Sequence, residues 1–144
     1  MIERNTALQV GNIITADGVA NTGFVFRENV VPHNAYGIFG SGTGVGTPSL
    51  ARYCPGAVVT DNVIAGGSAG QYPAGNFFPR SLDGVGFVDR ARGDYRLAGS
   101  SPYKRRGADG KGPGADFDAL TAVLALGREP SLPPSSSHLT KGGA

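Results

Sequence analysis

The chain has 144 residues, which suffices for one domain and is short for two domains of ordinary size. Its 24 glycines, 10 prolines and absence of tryptophan favour turns over long helices, while the 40% of hydrophobic residues can form a core and excludes a disordered chain. The formal net charge of +2 is too small to predict a nucleic-acid surface, and the single Cys54 excludes an internal disulfide.

One short pattern recurs along the chain, an asparagine followed by two apolar residues. It begins at Asn12, Asn29 and Asn62, and a looser copy begins at Asn76. An apolar residue stands four positions before each of the first three copies, so each copy predicts a strand, a tight corner at the asparagine and a second strand. We expect the amides of Asn29 and Asn62 to stack in neighbouring turns of the chain and to bond one another.

The spacing of this pattern bears on the fold. Asn12 and Asn29 are 17 residues apart, whereas Asn29 and Asn62 are 33 apart. Helical solenoids hold a fixed period, but a β-solenoid tolerates loops of different lengths at its corners. The residues 41–56 are interpreted as such a loop, a flexible excursion between the second and third coils. Short strands with glycine turns also occur in β-sandwiches, so the pattern alone leaves that alternative open.

Further strands are predicted at 35–39, 85–89 and 95–98, followed by one helix at 116–126. Asp116 or Asp118 can cap the start of that helix, and Gly127 can end it. Its apolar residues share one face, which predicts a lid over the end of a solenoid. The residues 128–144 are rich in proline and serine and predict a disordered tail.

The stretch from Thr22 to Leu120 resembles the C-terminal part of bacterial right-handed parallel β-helix repeat proteins, the pectate-lyase-like superfamily. The segments that carry the resemblance are 24–31, 33–38, 62–67, 72–79, 85–87, 94–97, 101–103, 107–110 and 114–116. The resemblance implies an all-β fold over residues 1–127, a right-handed parallel β-helix of about three to four coils with a short C-terminal capping helix. It further implies that the chain is a fragment of a longer, secreted parent. The Met1 end has no signal-peptide pattern, so the location of the chain itself stays open, and an extracellular or periplasmic location is expected for a full-length parent.

Two glycine-rich segments superficially suggest ligand loops. The run 40–46 lacks the helix and the Lys-Ser/Thr pair that a phosphate-binding loop requires, and is better explained as a flexible insertion. The run 109–116 suggests a calcium loop, but Lys111 and Pro113 interrupt its series of oxygen ligands, which favours a plain turn. Too few soft ligands are available for a closed zinc site, because His138 falls in the predicted tail and leaves only His33 and Cys54. We predict neither a metal nor a cofactor.

A group of charged residues at 80–94 is the remaining candidate for catalysis. Enzymes of the resembled architecture use grouped carboxylates, or a cation with carboxylates, to supply an acid and a base or to neutralise a uronate. The catalytic candidates are Arg80, Asp83 and His33; the substrate-binding candidates are Asp89, Arg90, Asp94 and Tyr36. Ordinary ion pairs explain the charges equally well, and a hydrogen-bonded surface histidine explains His33. A solvated face also explains four cations, Arg90, Arg92, Arg105 and Arg106.

Three functions are therefore considered. The first is a carbohydrate-associated module, a piece of a polysaccharide lyase or glycoside hydrolase; whether it is an enzyme stays open. The second is a non-catalytic structural or oligomerisation module, and the third is a promiscuous hydrolase housed in a β-helix fragment. The expected partners are a polysaccharide and a second copy of the chain, joined through an uncapped N-terminal coil around Leu8, Val10, Ile13 and Ile14. No nucleic-acid or membrane partner is expected, since no apolar run approaches the ~18 residues of a membrane helix.

Overall fold

The structure, a computed structural model, describes residues 1–127. It contains nine short strands and two α-helices, with 3-10 turns at Leu82–Val85 and Arg90–Arg92. The strands are β1 (Ile2–Glu3), β2 (Ile14–Ala16), β3 (Val25–Arg27), β4 (Val30–Pro32), β5 (Ile38–Gly40), β6 (Val58–Thr60), β7 (Val63–Ala65), β8 (Phe87–Asp89) and β9 (Asp94–Leu97). The helices are α1 (Thr47–Tyr53) and α2 (Phe117–Leu126). The predicted tail at 128–144, with His138, lies outside the described residues.

The strands form four small sheets. Three of them are parallel, with the orders β1-β3-β6, β2-β5 and β4-β7, and the fourth is the antiparallel pair β8-β9. The register places Ile2, Phe26 and Val59 side by side, and the pair Val31 and Ile64 beside one another on the adjoining sheet. The parallel pairs β3-β6 and β4-β7 correspond to the strand–corner–strand units predicted at Asn29 and Asn62, whereas the pattern does not predict β1.

The predicted all-β right-handed parallel β-helix is wrong. The sheets have two or three strands each, and none of them closes or extends into a solenoid sheet. The segment 41–56 contains helix α1 rather than a flexible excursion, and from residue 80 onward the chain forms 3-10 turns, an antiparallel hairpin and helix α2. These insertions end each run of parallel pairing after a few residues, so the described chain is a mixed α/β fold.

A ladder of asparagine side chains crosses the parallel strands at their corners. The predicted bond between Asn29 and Asn62 is present, with Nδ2 of Asn29 donating to Oδ1 of Asn62 at 3.0 Å. The same contact joins Asn5 to Asn29 and Asn62 to Asn76, so the looser copy at Asn76 belongs to the ladder. Asn12 does not, because its amide donates to the hydroxyl of Thr15 instead. The first member of the ladder is therefore Asn5, which the pattern does not identify.

The left-handed residue of each corner is the one before the ladder asparagine, not the asparagine itself. Arg4, Glu28 and Asp61 have φ of 54°, 53° and 57°, and Gly75 has 86°. Each asparagine can then donate to the carbonyl two residues earlier; Asn29 and Asn62 both do so. The ladder replaces backbone pairing where the chain turns and satisfies groups that would otherwise be buried unpaired.

Strands β4 and β7 separate two apolar clusters. Because side chains alternate along a strand, Val31 and Ile64 pack into one cluster while Val30 and Val63 pack into the other. The first cluster includes Leu50 of helix α1, which places that helix in the core. The second includes Val85 and Leu97 and thereby joins the C-terminal third to the parallel strands.

Helix α2 starts as predicted but does not cap the core. The Asp116 carboxylate accepts the backbone N–H of Ala119 at 2.9 Å, so Asp116 is the capping residue. The side chains on the expected lid face are nevertheless exposed: Leu120, Val123 and Leu124 have 51%, 67% and 72% of their surface in contact with solvent. The predicted capping role is therefore wrong. Within residues 1–127, no helix is long and apolar enough to cross a membrane.

Candidate functional site: a basic cleft

The structure places the predicted catalytic residues in different environments. His33 is buried; its Nδ1 lies 3.0 Å from the carbonyl oxygen of Asn34, and its ring packs edge-on against Tyr72 at 5.7 Å between centroids. Its Nε2 has no hydrogen-bond partner within residues 1–127. Arg80 is exposed and forms no ion pair with a described residue, whereas Asp83 pairs with Arg90. His33 is thus a core residue and not the surface histidine considered from the sequence.

The remaining predicted residues form local ion pairs along the β8-β9 hairpin. Asp83 and Arg90 are 2.6 Å apart, Asp89 accepts the backbone N–H of Arg92, and Asp94 binds Arg96 through two guanidinium nitrogens. The hydrogen bond from Arg96 lowers the pKa of Asp94 below its ordinary value. Each of these carboxylates has a nearby cationic partner, which is the arrangement expected of structural ion pairs.

Tyr36 lies apart from that hairpin in the sequence and in its contacts. Its ring is exposed and packs against Phe39 with 5.5 Å between the centroids. The structure places no charged group of the hairpin against it in a hydrogen bond or cation–π contact.

One concave surface of residues 1–127 is a cleft with a volume of about 960 Å³. It lies between the N-terminal residues Arg4 and Thr6, the segment from Tyr95 to Arg106, and the segment from Gly110 to Ala119. Six cations line it, against two carboxylates, Asp116 and Asp118. The cations are Arg4, Arg96, Lys104, Arg105, Arg106 and Lys111. We name this surface the basic cleft.

Three of the six cations are neutralised by acids. Arg4 binds Asp109 at 2.8 Å in addition to Glu28; likewise, Arg96 binds Asp94 and Lys111 binds Asp116. The other three cations are consecutive in the sequence and exposed. Lys104, Arg105 and Arg106 form no ion pair with any residue between 1 and 127.

Arg106 is oriented by two neighbours. Its guanidinium lies over the ring of Phe77 at 5.6 Å, and its Nε donates to the carbonyl of Pro102 at 3.4 Å. A cation over an aromatic face retains its full charge while its side chain is restrained. Lys104, Arg105 and Arg106, which have no ion pair within residues 1–127, therefore concentrate positive potential at the surface of the cleft.

The two carboxylates of the cleft do not form an acid–base pair of the usual kind. Asp116 is used as the cap of helix α2 and also binds Lys111 at 3.0 Å. The backbone N–H of Ala119 and the ammonium of Lys111 lower the pKa of Asp116. General acids of glycosidases need the opposite shift, a raised pKa. The arrangement thus suits the binding of an anion better than hydrolysis.

Two aromatic side chains also line the cleft. The ring of Tyr95 packs against Phe87 at 5.8 Å and against Phe117 at 6.4 Å. Both Tyr95 and Phe117 line the cleft and are half-buried. A half-buried aromatic ring supplies an apolar face beside the cations.

The floor of the cleft depends on a close approach of two backbones. Gly114 donates to the carbonyl of Glu28 at 2.7 Å, and Ala115 donates to the hydroxyl of Thr6 at 3.1 Å. Gly114 has φ of 90°, and a Cβ there would lie 2.5 Å from the Thr6 hydroxyl oxygen. Only glycine allows this contact without displacement of the strand.

Sequence reasoning did not identify this site. It interpreted Arg105 and Arg106 as part of a solvated face, and the run Lys104-Arg105-Arg106 was the one signal available. The basic cleft forms only when residues 4–6 contact residues 95–119, and no local sequence pattern predicts that contact. The described residues contain no group of three or more His, Cys, Asp or Glu side chains placed to hold a metal ion.

Comparisons with known proteins return no matching family model, no matching curated protein and no matching solved structure.

Proposed function

We propose that the chain is a carbohydrate-associated binding module that holds an acidic polysaccharide in the basic cleft without cleaving it. The observation that carries the proposal is a run of three exposed cations that line the cleft and have no ion pair within residues 1–127: Lys104, Arg105 and Arg106. Guanidinium groups bind carboxylates and sulfates with paired, charge-assisted hydrogen bonds.

The aromatic lining of the cleft supports a sugar polymer over a small anion. The ring of Tyr95 offers an apolar surface for the carbon face of a sugar, and the cations that line the same cleft can bind its acidic groups. A volume of about 960 Å³ accommodates several sugar units. The low pKa of Asp116 supports binding rather than hydrolysis.

The test compares two triple variants that remove equal charge. The first variant replaces Lys104, Arg105 and Arg106 with serine. The matched control replaces Arg80, Arg90 and Arg92 with serine, all of them exposed cations of the other candidate group. Affinity is measured by calorimetry with polygalacturonate, with neutral dextran and with single-stranded DNA, at low and at high salt.

We expect wild type to bind polygalacturonate with an affinity that falls as salt rises, and to bind dextran weakly. The cleft variant should lose between about threefold and about a hundredfold in affinity, since three exposed charge contacts contribute about 0.2–1 kcal/mol each. The control variant should bind like wild type. If the control loses affinity and the cleft variant does not, the site lies at the β8-β9 hairpin instead. Equal or tighter binding of DNA would overturn the assignment to a polysaccharide.

We also propose that two copies of the chain associate through their N-terminal strands. Strands β1 and β2 are the outer strands of their sheets, so their outer edges have no strand partner within residues 1–127. Val10 and Val19 beside them are 98% and 93% exposed, whereas Leu8, Ile13 and Ile14 are half-buried. Unpaired edges beside apolar side chains favour association.

Light scattering at micromolar concentration tests this association. The expected mass is twice the 14.7 kDa of one chain, and a Val10→Lys substitution should return the sample to the monomer mass. A wild-type sample that is monomeric throughout the concentration range would contradict the proposal.

A further inference from the structure

Glu28 lies in the corner between strands β3 and β4, away from the ends of the chain, and its side chain is only 5% exposed. All of its oxygens are used. Oε2 accepts from Nε of Arg4 at 2.8 Å, Oε1 accepts the backbone N–H of Ala108 at 2.6 Å, and the carbonyl oxygen accepts the N–H of Gly114 at 2.7 Å. Glu28 thus binds both Arg4, near the start of the chain, and the loop from 107 to 114.

Two of these partners line the basic cleft, Arg4 and Gly114. Arg4 also binds Asp109 at 2.8 Å, so the loop is held to Glu28 directly through Ala108 and indirectly through Arg4. The placement of Arg4 and of the 107–114 loop is therefore set by contacts that converge on one buried residue, two of them to its carboxylate and one to its carbonyl oxygen.

The backbone does not explain why glutamate occupies this corner. The equivalent corner positions hold Arg4, Asp61 and Gly75, all left-handed, which shows that the ladder accepts several residue types there. A left-handed φ of 53° disfavours a glutamate, for which glycine or asparagine would be easier. The side-chain contacts of Glu28 with Arg4 and Ala108 therefore explain why a glutamate occupies this corner.

We infer that Glu28 is the positioning residue of the basic cleft, which fixes Arg4 and the 107–114 loop in the geometry that receives an acidic polysaccharide. The inference rests on the proposed function of the cleft. Glu28 itself does not line the cleft and acts only through its neighbours. A preorganised cleft binds its ligand more tightly because the loop is already ordered, so that binding does not have to include the entropy cost of ordering it.

Three single variants test this role. Glu28→Gln removes the charge that holds Arg4. Gly107→Ala leaves Glu28 intact, but its Cβ would lie 3.1 Å from Oε1 of Glu28 and 2.7 Å from the carbonyl oxygen of Lys111, which pushes the loop away. The matched control is Glu3→Gln, which breaks the equally short Glu3–Arg27 ion pair of 2.7 Å outside the cleft.

Two measurements are made on each full-length variant: amide hydrogen exchange at Ala108 and affinity for polygalacturonate. We expect Glu28→Gln and Gly107→Ala to raise exchange at Ala108 by about tenfold and to weaken binding by about fivefold. Exchange at the core strand residue Val31 should remain at the wild-type rate, which separates local release of the loop from unfolding. Glu3→Gln should match wild type in all respects.

The outcomes separate the two proposals. Unchanged exchange at Ala108 in both cleft variants would overturn the positioning role, and so would increased exchange with undiminished affinity. If Glu28→Gln does not fold, Gly107→Ala decides the question alone. If wild type itself does not bind polygalacturonate, the proposed function fails, and exchange at Ala108 still decides whether Glu28 holds the loop.

Discussion

Replacing Asn62 by leucine removes the central member of the asparagine ladder. The Asn62 side chain is fully buried and forms five hydrogen bonds. Its Nδ2 donates to the carbonyls of Phe26 and Thr60 at 2.8 and 3.0 Å and to Oδ1 of Asn76 at 2.9 Å. Its Oδ1 accepts the backbone N–H and the Nδ2 of Asn29 at 2.9 and 3.0 Å. Leucine has the same branched shape and the same number of side-chain heavy atoms, and it makes none of these bonds.

The expected loss of stability follows from what the substitution leaves behind. The Nδ2 of Asn29 keeps its bonds to the carbonyls of Ile2 and Arg27, and Oδ1 of Asn76 keeps the backbone N–H of residue 62. The backbone N–H of Asn29 loses its acceptor and is buried. One stranded buried donor and the loss of the other bonds together should cost about 2–4 kcal/mol.

The assay is urea unfolding followed by circular dichroism, with the free energy of unfolding compared at constant m. The control is Asn12→Leu, which alters another copy of the same sequence pattern. Asn12 has one side-chain bond, to Thr15 at 3.2 Å, so the control should cost less than about 0.5 kcal/mol. A cost below about 0.5 kcal/mol for Asn62→Leu would refute the ladder as a stabilising element.

Two further predictions concern backbone conformation and pH. Gly46→Ala should destabilise the fold by about 3 kcal/mol or more, because Gly46 has φ of 75° and a Cβ there would lie 1.9 Å from the carbonyl oxygen of Gln71. Gly56→Ala, with the same φ and nothing within 4 Å, should cost only about 1 kcal/mol in the same unfolding assay. The hydrogen bond from Arg4 lowers the pKa of Asp109 in the folded state. Asp109 therefore adds stability at any pH above the pKa of an aspartate in the unfolded chain, which is about 4. That contribution is lost as the pH falls through the pKa of Asp109 in the folded state. Melting curves should therefore separate wild type from Asp109→Asn at neutral pH and converge in acid; a separation that persists in acid would contradict this account.

Some features of the fold follow from local sequence patterns. Asn29 and Asn62 each precede two apolar residues that alternate between the two sides of a strand, and this local rule predicts a corner at each of them. Asp116, one of the two predicted candidates, caps helix α2, and such a cap depends only on a residue three positions away.

Other features depend on contacts that local patterns cannot reveal. Asn5 joins the ladder although Thr6 and Ala7 follow it, since the register with Asn29 and not the local pattern selects it. Helix α1 has seven residues, and the burial of Leu50 and Tyr53 stabilises a segment whose sequence reads as a loop.

The candidate site shows the same division. The sequence alone determined a chain with turns, short strands, an asparagine ladder and a basic run at 104–106. The tertiary structure decided that Arg4 meets Asp109, that His33 is buried, and that the apolar face of helix α2 is exposed. Local patterns reach about one turn or one strand along the chain, whereas the basic cleft depends on the contact between Glu28 and Ala108, 80 positions apart. Packing of the whole chain, and not the preference of any one segment, brings such residues together.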